Sequence, residues 1–219
     1  SYFSKTSRLG RVNTGSVAQR LADTPGVART ILDAARAARG MPGADPRAMS
    51  HSWLFTGPPG SGRSLAALDF AAALMCTDPE EPGCGRCEAC QAVLDAKQHT
   101  DLVLVDPQEV IIPVDTVREV IGRAASLPTV APWRVVIFNN ADRLNNNGAN
   151  ALLKTVEEPP ARTVIIMCAP SDAPEDFSQT LRSRCRHLYI PSPSVESITA
   201  QLVSEGASDH DAHLAALTS

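Results

Sequence analysis

The chain has 219 residues, 43% of them hydrophobic, and a formal net charge of −4 at pH 7. This length suffices for one full-sized α/β domain and part of a second, and the hydrophobic content supports a substantial core. The charge excludes an overall basic field of the kind that grips nucleic acid. No apolar run approaches the roughly 18 residues of a membrane span and no secretory signal is visible, so we expect a cytoplasmic protein.

The first 16 residues, SYFSKTSRLGRVNTGS, contain Lys5, Arg8 and Arg11 but no acidic residue and little periodicity. Two interpretations are open for this segment. It is either a basic arm that contacts nucleic acid or a leader that derives from an expression vector and ends at Gly15-Ser16. We favour the second interpretation and expect residues 1–16 to be a vector-derived or disordered leader.

From residue 17 onward, apolar strands alternate with helices. Apolar residues recur at helical spacing over residues 27–35, and further helices are predicted at 64–75, 115–127 and 149–158. Five short, largely apolar segments are predicted to be strands, namely 51–56, 101–105, 133–138, 163–168 and 186–190. Such alternation requires crossover connections, so residues 17–190 are predicted to form an α/β domain with a five-stranded parallel sheet flanked by helices. The segment PSPS at 191–194 is predicted to be a hinge, and residues 191–219 the truncated beginning of a helical domain.

The loop after the first predicted strand has the outline of a phosphate-binding loop. It comprises Gly57, Pro58, Pro59, Gly60, Ser61, Gly62, Arg63 and Ser64. A strand before the loop and a helix after it provide the context that such a loop requires. Arg63, however, stands where the usual pattern has a lysine, whose compact charge fits between the terminal phosphates of a nucleotide. We therefore expect doubtful ATP binding, although backbone N–H groups and the helix dipole still attract anions.

Four cysteines follow the phosphate-loop helix at C-x7-C-x2-C-x2-C spacing: Cys76, Cys84, Cys87 and Cys90. Four thiolates can complete a tetrahedral zinc shell with no open position, which predicts a structural zinc insert at residues 76–90. An iron–sulfur cluster is the main alternative, since short C-x2-C runs also serve those clusters. Two disulfides are disfavoured by a reducing compartment. The insert has several acids against the single Arg86, which argues against a DNA-reading ribbon.

Three features occur together and in order. The phosphate-loop helix leads into the cysteine insert, NALLKTVEEPP follows the third strand, and TLRSRCR leads into the fifth. This combination resembles the clamp-loader subunits of bacterial DNA polymerase III, a branch of the AAA+ proteins, over about residues 17–205. The resemblance implies a ring of five subunits that opens a sliding clamp and places it on primed DNA. It also implies gamma/tau-like ATPase subunits and a delta-like subunit as partners, and a lid domain beginning near residue 191.

The end of the third strand distinguishes the two kinds of subunit that the resemblance allows. An active motor of the family has Asp-Glu there, for Mg²⁺ and for the attacking water, whereas this chain has Asn139-Asn140. An amide supplies no negative charge and accepts no proton, and loss of a general base alone costs about 10²–10⁴-fold in rate. With Arg63, this predicts a non-hydrolysing subunit without ATPase activity of its own. The alternatives are an active gamma/tau-type ATPase and a free-standing zinc-ribbon DNA-binding protein.

The resemblance also implies a role for the triplet Ser183-Arg184-Cys185. In clamp loaders the arginine of this triplet reaches ATP on the neighbouring subunit as an arginine finger in trans, which makes Arg184 the predicted catalytic residue. The alternative is an ordinary surface arginine before a strand. Cys185 is expected to pack beneath the loop, and Glu157 and Glu158 are expected to be solvated or to cap their helix.

Overall fold

The computed structural model describes residues 15–204 and 206–218, without the side chains of residues 201 and 204. The predicted leader therefore lies outside the described residues, apart from its last two positions. Ser16 is buried, and its hydroxyl oxygen accepts a hydrogen bond from the backbone N–H of Gln19 at 3.2 Å. The Gln19 side chain accepts in return from the N–H of Ser16 at 2.9 Å, so this pair caps the first helix.

The five predicted strands form one parallel sheet, as expected. They are β1 (Ser52–Thr56), β2 (Leu102–Val105), β3 (Arg134–Phe138), β4 (Thr163–Ala169) and β5 (Arg186–Tyr189). Their spatial order is β2-β3-β4-β1-β5, and every neighbouring pair is parallel. The three inner strands are buried along their whole length, which explains why they read as continuous apolar runs.

Helices cover both faces of the sheet. The described helices are α1 (Val17–Arg20), α2 (Pro25–Ala38), α3 (Arg63–Met75), α4 (Glu88–Leu94), α5 (Val114–Ala124), α6 (Asn146–Glu157), α7 (Gln179–Arg182), α8 (Val195–Ser204) and α9 (Asp209–Leu217). Short 3₁₀ turns lie at Pro46–Ala48 and Ala141–Arg143. Among the described residues, no helix is both long and apolar enough to cross a membrane.

Alternate residues of the inner strands build two separate cores. Trp53 and Phe55 face the layer of α2 and α3, where the Trp53 ring lies 5.2 Å from that of Phe70 in an edge-to-face contact. Leu54 faces the opposite layer, in a cluster with residues of α5 and α6 such as Leu152. Both layers therefore rest on β1, which fixes the loop that follows this strand.

Residues 191–194 are irregular, and α8 and α9 after them pack against each other. Ser197 in α8 donates a hydrogen bond to Asp23 at 2.6 Å, which links this helical pair to the loop after α1. The division of the chain at residues 16 and 190 stays a prediction.

Candidate functional site

The phosphate loop leaves the sheet at the carboxyl end of β1, the edge at which open α/β sheets bind ligands. Gly57 is enclosed so tightly that an added Cβ would lie 2.4 Å from the Ile190 carbonyl oxygen and 2.4 Å from Ser61 Oγ. Gly60 and Gly62 both have φ of 81°, a left-handed conformation that suits glycine. The loop encloses a cavity of about 150 Å³ that is lined by residues 58–65. The sequence therefore retains the loop's backbone shape.

Arg63 is folded back onto its own loop. Its Nη1 donates a hydrogen bond to the Gly57 carbonyl oxygen, and its Nη2 lies 3.4 Å from Asn140 Oδ1. The guanidinium group thus bridges the start of the loop and the end of β3. No carboxylate in the described part of the chain forms an ion pair with Arg63.

The end of β3 carries amides where metal-dependent hydrolysis needs carboxylates. The Asn139 N–H bonds to the Val105 carbonyl oxygen at 2.8 Å, and Asn140 has a left-handed φ of 50°. The Oδ1 atom of Asn139 is buried and has no hydrogen-bond partner within the described residues. Asp142 is exposed in the 3₁₀ turn that follows. Asn139 and Asn140 do not fit a magnesium–ATP site, because neither supplies a carboxylate to hold the metal or orient water. The carboxylate beside them belongs to Asp106, after β2, whose Oδ1 lies 3.5 Å from Asn139 Nδ2.

The four predicted cysteine ligands are brought together. Their sulfur atoms all lie within 4.8 Å of one another, and Cys76, Cys84 and Cys90 are buried. The zinc–sulfur distance of about 2.3 Å places the sulfurs of a tetrahedral site at a comparable spacing. The cluster lies between the end of α3 and the start of α4, and Cys87 caps α4 through its sulfur. The residues therefore fit a metal with four thiolate ligands, zinc among them.

Backbone N–H groups point at these sulfurs, as thiolate ligands require. Cys76 Sγ accepts from the N–H groups of Asp78 and Cys84, each at 3.4 Å, and Cys84 Sγ accepts from Arg86 at 3.4 Å and Cys87 at 3.3 Å. The pKa of Cys76 is lowered to about 4, chiefly through its interaction with the neighbouring Cys90 side chain. The pKa of Cys90 is raised by the same interaction. The backbone N–H donors lower the pKa of the sulfur atoms that they contact, although burial raises the pKa of Cys84 overall.

Arg184 lies at the opposite edge of the sheet from the phosphate loop. It comes two residues before β5, whose first residue, Arg186, pairs with Trp53 near the start of β1. β1 alone spans about 17 Å at ~3.3 Å per residue. Arg184 is therefore remote from the loop of its own chain. Cys185 is buried below it, and burial raises the pKa of its thiol to about 12.

One contact at Arg184 was not predicted. Its Nε donates to the carboxylate of Glu157, the last residue of α6, where the sequence suggested only a solvated or capping side chain. Its Nη1 donates to the Thr180 carbonyl oxygen at 2.7 Å and to Ser183 Oγ at 2.9 Å. The pair joins residues 27 positions apart. In the sequence, the only indication of this contact was that NALLKTVEEPP contains acidic residues and TLRSRCR contains basic ones.

Comparisons with known proteins identify relatives of this chain. Residues 44–194 match the protein family described as "DNA polymerase III, delta subunit". The chain is 36% identical over 165 residues to DNA polymerase III subunit delta′ of Pseudomonas aeruginosa, covering 72% of this chain and 49% of that protein. It is 33% identical over 166 residues to DNA polymerase III subunit gamma/tau of Mycobacterium tuberculosis, covering 74% of this chain and 28% of that protein. The chain thus spans at most about half the length of these curated relatives.

A solved structure supports the fold. The RuvB Holliday junction branch migration motor of Thermotoga maritima matches 88% of this chain and 55% of its own, with a TM-score of 0.53 and 16% sequence identity. At this identity the likeness concerns the fold alone. The match over residues 44–194 covers more than half of the chain, so the chain belongs to the DNA polymerase III delta′ subunit family, a clamp-loader branch of the AAA+ proteins.

Proposed function

We propose that this chain acts as the non-hydrolysing subunit of a DNA polymerase III clamp loader, which helps to place the sliding clamp on primed DNA. Its chemical contribution is Arg184, which is provided in trans to ATP bound by a neighbouring subunit. The observation that carries the proposal is the arrangement of two edges of one sheet. The nucleotide edge has Arg63 and Asn139-Asn140 in place of the usual lysine and acids, while Arg184 stands at the other edge.

The chemistry of arginine suits this role. A guanidinium group is always charged and planar, and it can grip two phosphate oxygens at once. Arginine fingers neutralise the charge that develops on a transferred phosphoryl group, and contribute about 10³–10⁵-fold in rate where they have been measured. In this proposal the ATP belongs to a gamma/tau-like partner, and a delta-like subunit, the clamp and the DNA are contacted through the complex.

The metal in the proposal is zinc, held by Cys76, Cys84, Cys87 and Cys90 in a structural role. Four sulfur ligands leave no position for water or substrate, so the site has no catalytic function. Its contribution is to hold the insert between α3 and α4 in one conformation.

An active gamma/tau-type ATPase is the second candidate, favoured by the identity to the Mycobacterium tuberculosis protein. It requires a residue at the end of β3 that can hold Mg²⁺ and polarise water. Asn139 and Asn140 can neither hold Mg²⁺ nor polarise water. This candidate therefore predicts ATP turnover, which these two residues cannot support.

The test is ATP hydrolysis by the full-length protein assembled with its ATPase partners, clamp and primed DNA. We expect Arg184→Ala to reduce DNA-stimulated hydrolysis and clamp loading strongly while the complex still assembles. Arg184→Lys should restore only part of the rate of ATP hydrolysis, because the compact ammonium group of lysine cannot bind two phosphate oxygens in the way that the planar guanidinium group does. Arg36→Ala is a matched control, since Arg36 is also a partly exposed arginine with one acidic partner, Asp33, at 3.4 Å. Wild-type loading by the Arg184→Ala complex would contradict the proposal.

A further inference from the structure

Arg184 is an exposed side chain that is nonetheless held in one orientation. The exposed fraction of its side chain is 35%, yet three acceptors fix it: the Glu157 carboxylate at Nε, and the Thr180 carbonyl oxygen and Ser183 Oγ at Nη1. A long side chain at the surface normally samples many rotamers. Here its freedom is restricted before any partner arrives.

The contacts occupy only part of the guanidinium group. The single N–H of Nε is directed to Glu157, and the two N–H bonds of Nη1 are directed to Thr180 and Ser183. Within the described residues, no acceptor binds Nη2. The two N–H bonds of Nη2 are therefore available to oxygen atoms supplied from outside this chain, such as those of a phosphate.

Glu157 itself stands on a rigid base. The preceding residue, Val156, is buried, and its carbonyl oxygen accepts a hydrogen bond of 2.8 Å from the buried hydroxyl of Ser52 at the start of β1. Pro159 and Pro160 follow and end the helix. The backbone next to Glu157 is thus anchored to the sheet.

Glu157 also lies at an electrostatically unfavourable position in α6. A carboxylate at the C-terminal end of a helix faces the negative end of the helix dipole, which disfavours it. The guanidinium of Arg184 offsets this. Both side chains are more than a third exposed, so the ion pair contributes little to the stability of the fold. Stability alone therefore does not account for the pairing of Glu157 with Arg184.

We propose that Glu157 is a positioning residue for Arg184, which orients the guanidinium group so that Nη2 faces the nucleotide of the neighbouring subunit. This rests on the proposed function, in which Arg184 acts in trans. Glu157 touches neither the nucleotide nor the transferred group. It acts by holding one atom of the arginine, so that the arginine reaches the phosphates without a search among rotamers.

The experiment is a double-mutant cycle in the full-length protein assembled with its ATPase partners, clamp and primed DNA. Glu157→Ala should lower kcat for ATP on the order of 10- to 100-fold, the scale of loss from a misplaced catalytic group, with little change in KM. Glu157→Gln should recover most of this loss, because its amide oxygen still accepts from Nε. In an Arg184→Ala background, Glu157→Ala should change kcat less than about twofold, since the two residues act as a unit. Glu158→Ala is the control, because Glu158 is the exposed next residue and should leave kcat unchanged.

Three results would overturn this inference. They are a wild-type kcat in Glu157→Ala, a faster rate in Glu157→Ala, which would mean that Glu157 holds the arginine back, and an equal loss with and without Arg184. If Arg184→Ala itself leaves the rate unchanged, the proposed function fails and the inference fails with it. If Arg184→Ala slows the reaction and Glu157→Ala does not, only the role of Glu157 is wrong.

Discussion

Arg63 and Arg184 have the same guanidinium group, but their hydrogen-bond partners orient it differently. The guanidinium group of Arg63 donates to the Gly57 carbonyl oxygen in its own loop and lies beside Asn140 Oδ1, just after β3. Its donors are therefore directed toward atoms of its own chain. Arg184 is bound along one side and is free at Nη2 within the described residues. Each arginine has one partner that is distant in sequence, Asn140 for Arg63 and Glu157 for Arg184, and the motifs did not predict the contact with Glu157.

A buried ion pair at the other end of β3 contributes to the dependence of stability on pH. Asp101 is buried beside Arg134, with Nη2 and Oδ1 3.1 Å apart, and its carboxylate also accepts N–H groups of Thr129, Val130 and Ala131. Burial alone would raise the pKa of Asp101, but these N–H donors and Arg134 lower it to about 2. A depressed acidic pKa contributes stability above the unfolded pKa of about 4, and this stability is lost as the pH falls through about 2.

We expect Asp101→Asn to lower the free energy of unfolding by about 3–5 kcal/mol at pH 7, because it leaves the Arg134 charge buried without a partner. The variant should also lose the part of the pH dependence that lies between pH 4 and pH 2. Urea denaturation across this range measures both effects. Asp115→Asn is the control, since Asp115 forms an exposed pair with Arg118 and should change the free energy by less than about 1 kcal/mol.

At the scale of elements, the sequence predicted all five strands to within two residues at either end. It succeeded because the inner strands are apolar on both faces and glycines or prolines mark the loops. It missed α1, α4 and α7, because each of these helices has only four to seven residues. The position of α1 depends on a long-range contact: the Val17 N–H bonds to the Gly83 carbonyl oxygen at 2.8 Å, within the cysteine insert.

This contact leads to a prediction about metal removal. The protein should bind about one zinc per chain, and chelation should increase hydrogen exchange in residues 76–94 and also in α1, because α1 rests on the insert. Exchange in β1, β3 and β4 should stay slow. Cys168 is a buried cysteine in β4, and burial raises the pKa of its thiol to about 12. The Cys168→Ser variant should keep the zinc, whereas the Cys87→Ser variant should lose it. Iron and labile sulfide in the purified protein would contradict the assignment.

The phosphate loop and the end of β3 make a second prediction at this scale. The protein alone should hydrolyse ATP no faster than background. Replacing Arg63→Lys, Asn139→Asp and Asn140→Glu together should improve Mg²⁺-dependent nucleotide binding but give little turnover. One cost is specific to Asn140: its left-handed φ of 50° is tolerated by asparagine and strains glutamate by about 1–2 kcal/mol. Turnover by the native chain that a Ser64→Ala change abolishes would show that the site is active.

At the scale of the whole molecule, the phosphate loop and Arg184 lie at opposite ends of the strands of one sheet. Because the strands are parallel, the phosphate loop and the residues after β3 lie at the carboxyl ends of the strands, and Arg184 lies at the amino ends. In the proposed function, Arg184 therefore acts on the nucleotide of a neighbouring subunit and not on the loop of its own chain. The motifs of the sequence predicted the phosphate loop and Arg184. The separation between these two sites became visible only from the register of the strands.

Chemical rescue of Arg184 in the assembled complex tests this central claim most directly. Single-turnover ATP hydrolysis would be measured for the complex with Arg184→Ala while guanidinium chloride is raised to tens of millimolar, against sodium chloride at equal ionic strength. We expect the slow rate of the variant to rise with guanidinium and not with sodium, because a free guanidinium ion can occupy the vacated position beside the neighbour's phosphates. The wild-type and Arg36→Ala complexes should show no such rise. A variant complex that hydrolyses ATP at the wild-type rate without guanidinium would contradict the role of Arg184 in trans.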